Sequence, residues 1–219
     1  MSEIRRRAKE LSPSLVLTLL SIVQALALEV LWSSVRESAF LFEGGLPAAI
    51  GWAQVSITLQ GIVVLWVAYV SLVVRFVWVP RVSDVVTPFV LGVLEFILAS
   101  ALDPSWLVPW LLALAALFVV ATVTNANVFD AASELPENRE HFDELEKLEP
   151  GAFGPTALYG PLAVFVALIL GAAALAAFFG ADSWAALAGL LITNGVLILQ
   201  FMQIRRYWNR SLFQLPADQ

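Results

Sequence analysis

Cysteine is absent from the 219 residues, histidine occurs once and charged residues make up only 14 %, and each scarcity closes off a class of chemistry. Without cysteine there are no disulfides, thiolate metal sites or cysteine nucleophiles. The single histidine, His141, leaves no histidine pair to hold haem and no HExxH zinc motif, and its place in an acidic stretch reads as an ordinary surface position. No P-loop, no GxSxG with a histidine on a membrane face and no intramembrane aspartate pair occurs, nor does the TVGYG filter of ordinary potassium channels. The expectation is therefore a protein that is not an enzyme, with no catalytic residue, cofactor or metal ligand to assign.

What the chain has instead is apolar bulk, at 60 % of residues. A soluble domain of this size neither needs nor tolerates that fraction, so lipid is the expected solvent. A membrane-crossing helix takes about 20 mostly apolar residues, and such runs recur at Leu15–Val35, Ala48–Val74, Val85–Leu102, Trp106–Val123, Tyr159–Phe179 and Trp184–Ile204. The alternation of a membrane β-barrel is missing. The fold class expected is an all-α integral membrane protein, a six-helix bundle. Residues 1–13 form a basic N-terminus, 14–125 the first four spans, 126–155 an acidic loop with a short helix, 156–206 the last two spans and 207–219 a tail. The first run is too long for a signal core of about 7 to 15 residues and reads as a retained helix. Asp103-Pro104 and residues 180–183 are tight connections, which predict antiparallel neighbours on either side of each.

Basic residues stay on the cytoplasmic side of a membrane. With the N-terminus inside, Arg5, Arg6, Arg7, Lys9, Arg75, Arg81, Arg139, Lys147, Arg205, Arg206 and Arg210 all fall inside and only Arg36 falls outside. Both termini are thus expected in the cytoplasm, in the plasma (bacterial inner) membrane. Tryptophan favours the headgroup boundary, and Trp32, Trp52, Trp106, Trp110 and Trp184 fall near outer span ends, Trp78 and Trp208 near inner ones, with Trp66 inside a span. Within the acidic loop, Pro136 to Glu149 reads as a short helix with Phe142, Leu145 and Leu148 along one side and Pro150-Gly151 to stop it. Beyond the lipid bilayer, the partners expected are a second copy of the chain and a cytoplasmic protein docked on residues 130–149, while nothing points to nucleic acid.

Glu29 and Glu95 are the only acids or bases well inside the spans. A charge at the bilayer centre costs about 2.5 to 3.5 kcal/mol on insertion scales, so neither is expected to face lipid. Helical spacing supplies each with a line of small or polar residues. In the first span the line is Ser14, Thr18, Ser21, Ala25, Glu29, Ser33 and Arg36; in the third, Asp84, Pro88, Gly92, Glu95, Ala99 and Asp103; in the second, Gln54, Thr58, Gly61, Ala68, Ser71 and Arg75, interrupted by Leu65. The fifth span carries Gly160, Ala163, Ala167, Gly171 and Ala174, a packing face without chemistry. Gln24, Gln60, Thr193 and Asn194 near the midplane read as interhelical hydrogen bonds.

Together these features predict a small channel or transporter for a cation or protons, with Glu29, Glu95, Ser21, Ser33, Gln54 and Thr58 along its path. The alternative expectation is a non-transporting membrane subunit or anchor that docks a partner through the acidic loop. Arg7 followed by Leu11-Ser12-Pro13 stands at the spacing of the Arg-x-x-x-Phe-Ser-Asp opening of the six-helix bacterial relatives of the lysosomal potassium channel. Helix count, size and orientation resemble that family, but its Phe and Asp are both replaced, so no site residue is carried over.

Overall fold

Six helices long and apolar enough to cross a membrane dominate the computed structural model, which describes residues 3–79, 81–148 and 155–213. The described helices are α1 (Glu3–Glu37), α2 (Phe40–Glu43), α3 (Gly45–Arg75), α4 (Val82–Ser100), α5 (Leu107–Ser133), α6 (Arg139–Leu148), α7 (Pro155–Phe179) and α8 (Trp184–Phe213), with 3-10 turns at Pro104–Trp106 and Pro136–Asn138. Among the described residues there is no strand. The six expected spans are all present. The largest differences are in the first and fourth: α1 begins at Glu3 instead of Leu15, and α5 continues to Ser133 instead of ending at Val123, because the polar run Thr122 to Asn127 leaves the apolar zone without breaking the helix. The predicted stop at Pro150-Gly151 and the tail beyond residue 213 lie outside the described residues.

Local chemistry sets the helix starts. The Asp84 carboxylate accepts the backbone N–H of Arg81 at 2.9 Å, holding the free first turn of α4, and Pro88 follows near the start of the helix. At the turn between α4 and α5 the Asp103 carboxylate accepts Ser105 N–H at 2.7 Å, with Pro104 opening the 3-10 turn. The short α2 was not anticipated. It folds back so that Leu41 is buried and its carbonyl accepts Trp52 Nε1 at 3.0 Å. Gly51 makes this possible, since a Cβ there would run into Leu41 and Phe40.

Contacts between helices run from α1 to α4, α5, α7, α8 and α3 and return to α1. The expected pairings of α4 with α5 and α7 with α8 are both among them. Val16, Leu20, Ile57, Leu91, Leu98, Leu114, Phe118, Phe165, Ile169, Leu190 and Leu197 belong to one apolar core that fills the bundle. Val23 lies where a Cβ on Gly92 would be, and Leu31 and Val35 cluster with Ala99 and Leu102, so α1 and α4 run in the same direction. The Arg75 guanidinium sits 5.4 Å above the Trp208 ring, bringing the C-terminal ends of α3 and α8 together. The N-terminal end of α1 lies at that same end of the bundle.

A second small core closes that end. Leu145 of α6 is buried with Leu72, Phe76, Trp78, Val128, Ala131 and Ala132, and Phe142 packs beside it. Phe76 stacks on Phe142 at 4.9 Å and meets Phe129 edge-on at 5.2 Å. Asn138 fastens the lobe: its carbonyl accepts Val77 N–H at 3.0 Å, and its amide donates to Val77 O at 2.6 Å and Ala132 O at 2.8 Å. His141 is half-buried against Phe76, ring centroids 5.5 Å apart, rather than out on the surface as expected. Burial holds its imidazole below the ordinary value of 6.5; Glu144 opposes that shift and Arg75 reinforces it. Two tryptophans assigned to the lipid boundary also prove to be internal. Trp110 is buried and donates to Leu98 O at 3.0 Å, and Trp78 lies inside the second core.

Candidate functional site

Of the three polar lines expected to face the interior, two do. On α4, Asp84, Pro88, Gly92, Glu95 and Ala99 are buried, and Asp103 lies exposed beyond the helix end. On α3, Gln54, Thr58, Gly61 and Ser71 are buried, with Leu65 among them. The line on α1 is reversed: Ser14, Thr18, Ala25, Glu29 and Arg36 are exposed, and Ser21 and Ser33 are half-buried. The face that α1 buries is Val16, Leu20, Val23, Gln24, Ala27, Leu31 and Val35.

This corrects the expectation that Glu29, Ser21 and Ser33 line the interior, and the reason is visible in the hydroxyls. Ser14 donates to Leu11 O at 2.8 Å, Thr18 to Ser14 O at 2.8 Å and Ser21 to Leu17 O at 2.9 Å. A serine or threonine that bonds the carbonyl one turn back needs no partner from another helix and can face outward. Ser21 Oγ also accepts Trp66 Nε1 at 3.3 Å across the outer groove between α1 and α3, and Ser33 donates to Glu37 at 3.0 Å.

The site that does form is centred on Glu95, which has 0 % of its surface exposed. Its Oε1 accepts Gln24 Nε2 at 3.2 Å, and the same amide nitrogen donates to Ile62 O at 3.2 Å. One side chain of α1 thus joins α3 to α4. Among the described residues, Glu95 Oε2 and Gln24 Oε1 are buried without a partner. Gln54, also 0 % exposed, donates to Ala101 O at 3.4 Å toward the C-terminal end of α4, and among the described residues its own Oε1 has no partner. Thr58 donates to Gln54 O at 2.9 Å. Gly61 is buried, yet a Cβ added there would meet nothing within 4 Å, so space is open on the face of α3 that carries Gln54 and Thr58. Toward the other end, Thr87 and Thr124 share a hydrogen bond at 3.3 Å, and among the described residues the buried Tyr69 hydroxyl has no partner.

Glu29 stands five residues past Gln24, about 7.5 Å farther along α1 and about 140° around it. The two glutamates are therefore not brought together. Gln24 makes the interhelical hydrogen bonds expected of a midplane amide, and what was not expected is that one of them goes to Glu95. Its signal was positional, since it falls on the seam set by Leu20, Ala27 and Leu31 at helical spacing. A separate amide group, where Gln60 donates to Ser56 at 2.9 Å and Asn194 at 3.0 Å and Asn194 donates to Ser56 at 2.9 Å, ties α3 to α8.

No family model, curated protein or solved structure matches the chain. The chemistry must therefore be read from the residues. A carboxyl group in a low-dielectric interior holds a proton or pairs with a cation, because an isolated buried carboxylate is costly. Glu95 has one oxygen fixed by Gln24 and the other free to do either. Among the described residues, no three acidic or histidine side chains are grouped to hold a metal ion by themselves.

Proposed function

We propose that this membrane protein carries protons or a cation across the bilayer between α1, α3 and α4, with Glu95 as the carrying group. The observation behind this reading is a fully buried carboxyl, one oxygen fixed by Gln24 and the other unpartnered, inside helices otherwise packed with apolar side chains. An ionisable group in the interior of a membrane bundle is a default marker of an ion or proton route. Gln54 and Thr58 on one side and Thr87, Thr124 and Tyr69 on the other extend a line of buried polar groups toward both ends. The uneven placement of Lys and Arg supports cytoplasmic termini in a plasma membrane, with Glu43 outside. A cysteine placed at Glu43 should then react with an impermeant reagent added to intact cells, and reaction only from the inside would reverse the orientation.

Flux tests the reading directly. In liposomes containing the purified protein, Glu95→Gln should lower proton or cation flux severalfold or shift its pH dependence, while Glu29→Gln should leave it unchanged. Flux unaltered by Glu95→Gln would remove Glu95 from any path.

One observation favours a second reading, a non-transporting anchor. Glu95 is sealed from solvent, whereas α6 turns Glu140, Asp143 and Glu146 outward once its apolar side is packed. On that reading the acidic face of α6 receives a basic cytoplasmic protein, and no Glu95-dependent flux exists.

A further inference from the structure

At the end of α8 that shares a level with Arg75, Met202, Arg205, Arg206 and Asn209 line a cleft of about 270 Å³. Its position is specific. The stretch of α8 long and apolar enough to cross a membrane closes with Arg205 and Arg206, so in a bilayer the two guanidinium groups would stand where hydrocarbon gives way to headgroups. Helical spacing places Ile198 and Leu199 on the same face as Met202, one turn farther into the span. All three are exposed. Among the described residues, no carboxylate lies within 4 Å of Arg205 or Arg206, and both side chains are exposed. One strip therefore carries an apolar wall, then two unneutralised forks of N–H donors, then an amide.

We infer that this cleft binds the phosphodiester headgroup of an anionic phospholipid, held by Arg205 and Arg206, with one acyl chain along Ile198 and Leu199. Guanidinium groups match phosphate oxygens with paired N–H donors, and basic pockets at this depth suit lipid phosphates. Asn209 donates to a remaining oxygen. A soluble phosphate would use the arginines but gain nothing from the apolar wall, and this decides for a lipid over a free anion. The site is separate from Glu95 and does not depend on the proposed transport.

The test uses the full chain in detergent, with phosphatidylglycerol, phosphatidylcholine or inorganic phosphate added, read by melting temperature and by lipid retained in native mass spectrometry. Phosphatidylglycerol should raise the melting temperature of the unaltered protein and remain bound. Arg205→Gln with Arg206→Gln should cut retention tenfold or more, as should Asn209→Asp, which puts a carboxylate at the cleft mouth. Arg139→Gln, in the exposed lobe, should leave retention as it was. Melting without added lipid should match the unaltered protein in every variant, which separates lost binding from lost folding. Equal stabilisation by phosphatidylcholine, equal stabilisation by inorganic phosphate, or undiminished retention in the double variant would each overturn the site.

Discussion

Helices α1 and α6 each carry a polar line along one side, and both lines face outward into very different surroundings. On α6 the outside is water. Glu140, Asp143, Glu146 and Lys147 are exposed while Leu145 is buried, so polarity alone tells which face is which. On α1 the outside of the span is lipid, and Ser14, Thr18, Ala25 and Glu29 still face it while Leu20, Ala27 and Leu31 point inward. In water, burying apolar area is itself the driving force. In lipid that force is nearly absent between helices, and close packing together with hydrogen bonding decides the face. Small size and hydroxyls therefore mark a face of α1 that can go either way. α4 resolves the matter locally, because Gly92 admits Val23 and Glu95 takes the Gln24 amide.

The strongest way to break this comparison is to change size on the two kinds of face. Gly92→Leu puts a side chain into the space of Val23 and should cost about 3 kcal/mol or more, lowering the melting temperature by about 6 to 12 °C. Ala25→Leu, on the exposed line of α1, should stay within about 0.5 kcal/mol of the parent. Equal losses would mean that the line of α1 is packed after all. Next in size, Asn138→Ala removes three hydrogen bonds that close the lobe around α6, at a cost of about 2 to 3 kcal/mol by denaturation. An unchanged stability there would show that the lobe contributes nothing to the fold.

Charge separates the two membrane faces by sign. Glu29→Leu removes a carboxylate from the outside of a span and should raise stability by about 1 kcal/mol. Glu95→Leu leaves the Gln24 amide with one acceptor fewer and should lower it by about 1 kcal/mol. A shift of the same sign in both variants would refute the assignment of faces. The smallest effect belongs to the water side. Because burial depresses the folded pKa of His141, its contribution is present above 6.5, and it weakens as pH falls from there toward the folded value, where only the unfolded chain takes up the proton. His141→Phe should remove that part of the pH dependence of melting. A steeper dependence in the variant would show that another group is responsible.

Span count, the two tight hairpins and the short helix of the acidic loop were legible in the sequence because each follows from a local rule: length of apolar run, turn residues, or periodicity against water. Glu95 and the buried lines of α3 and α4 were legible for a similar reason, since an isolated acid among small residues has few tolerable places. The face of α1 was not legible. Ser14, Thr18 and Ser21 meet their needs within their own helix, and nothing in their spacing reports that. Nor could the internal places of Trp78 and Trp110 be read from their distance to a span end, because the large apolar indole suits a lipid boundary and a packed core alike; Trp110 also finds a buried carbonyl there, whereas among the described residues the Trp78 N–H has no partner.

The amide group that joins α3 to α8 links residues 134 apart in the chain, Gln60 and Asn194. At synthesis rates of about 5 to 20 residues per second, Gln60 is made about 7 to 27 s before its partner. During that interval its head group has only Ser56, on its own helix, from the final set. The second span is thus made before the sixth can complete its hydrogen bonding, and α8, which follows the other five described spans, closes the ring of contacts between α7 and α3. A ribosome stalled before residue 194 would hold a chain whose α3 is already joined to α1 and α4 through Gln24 but still open on its other side.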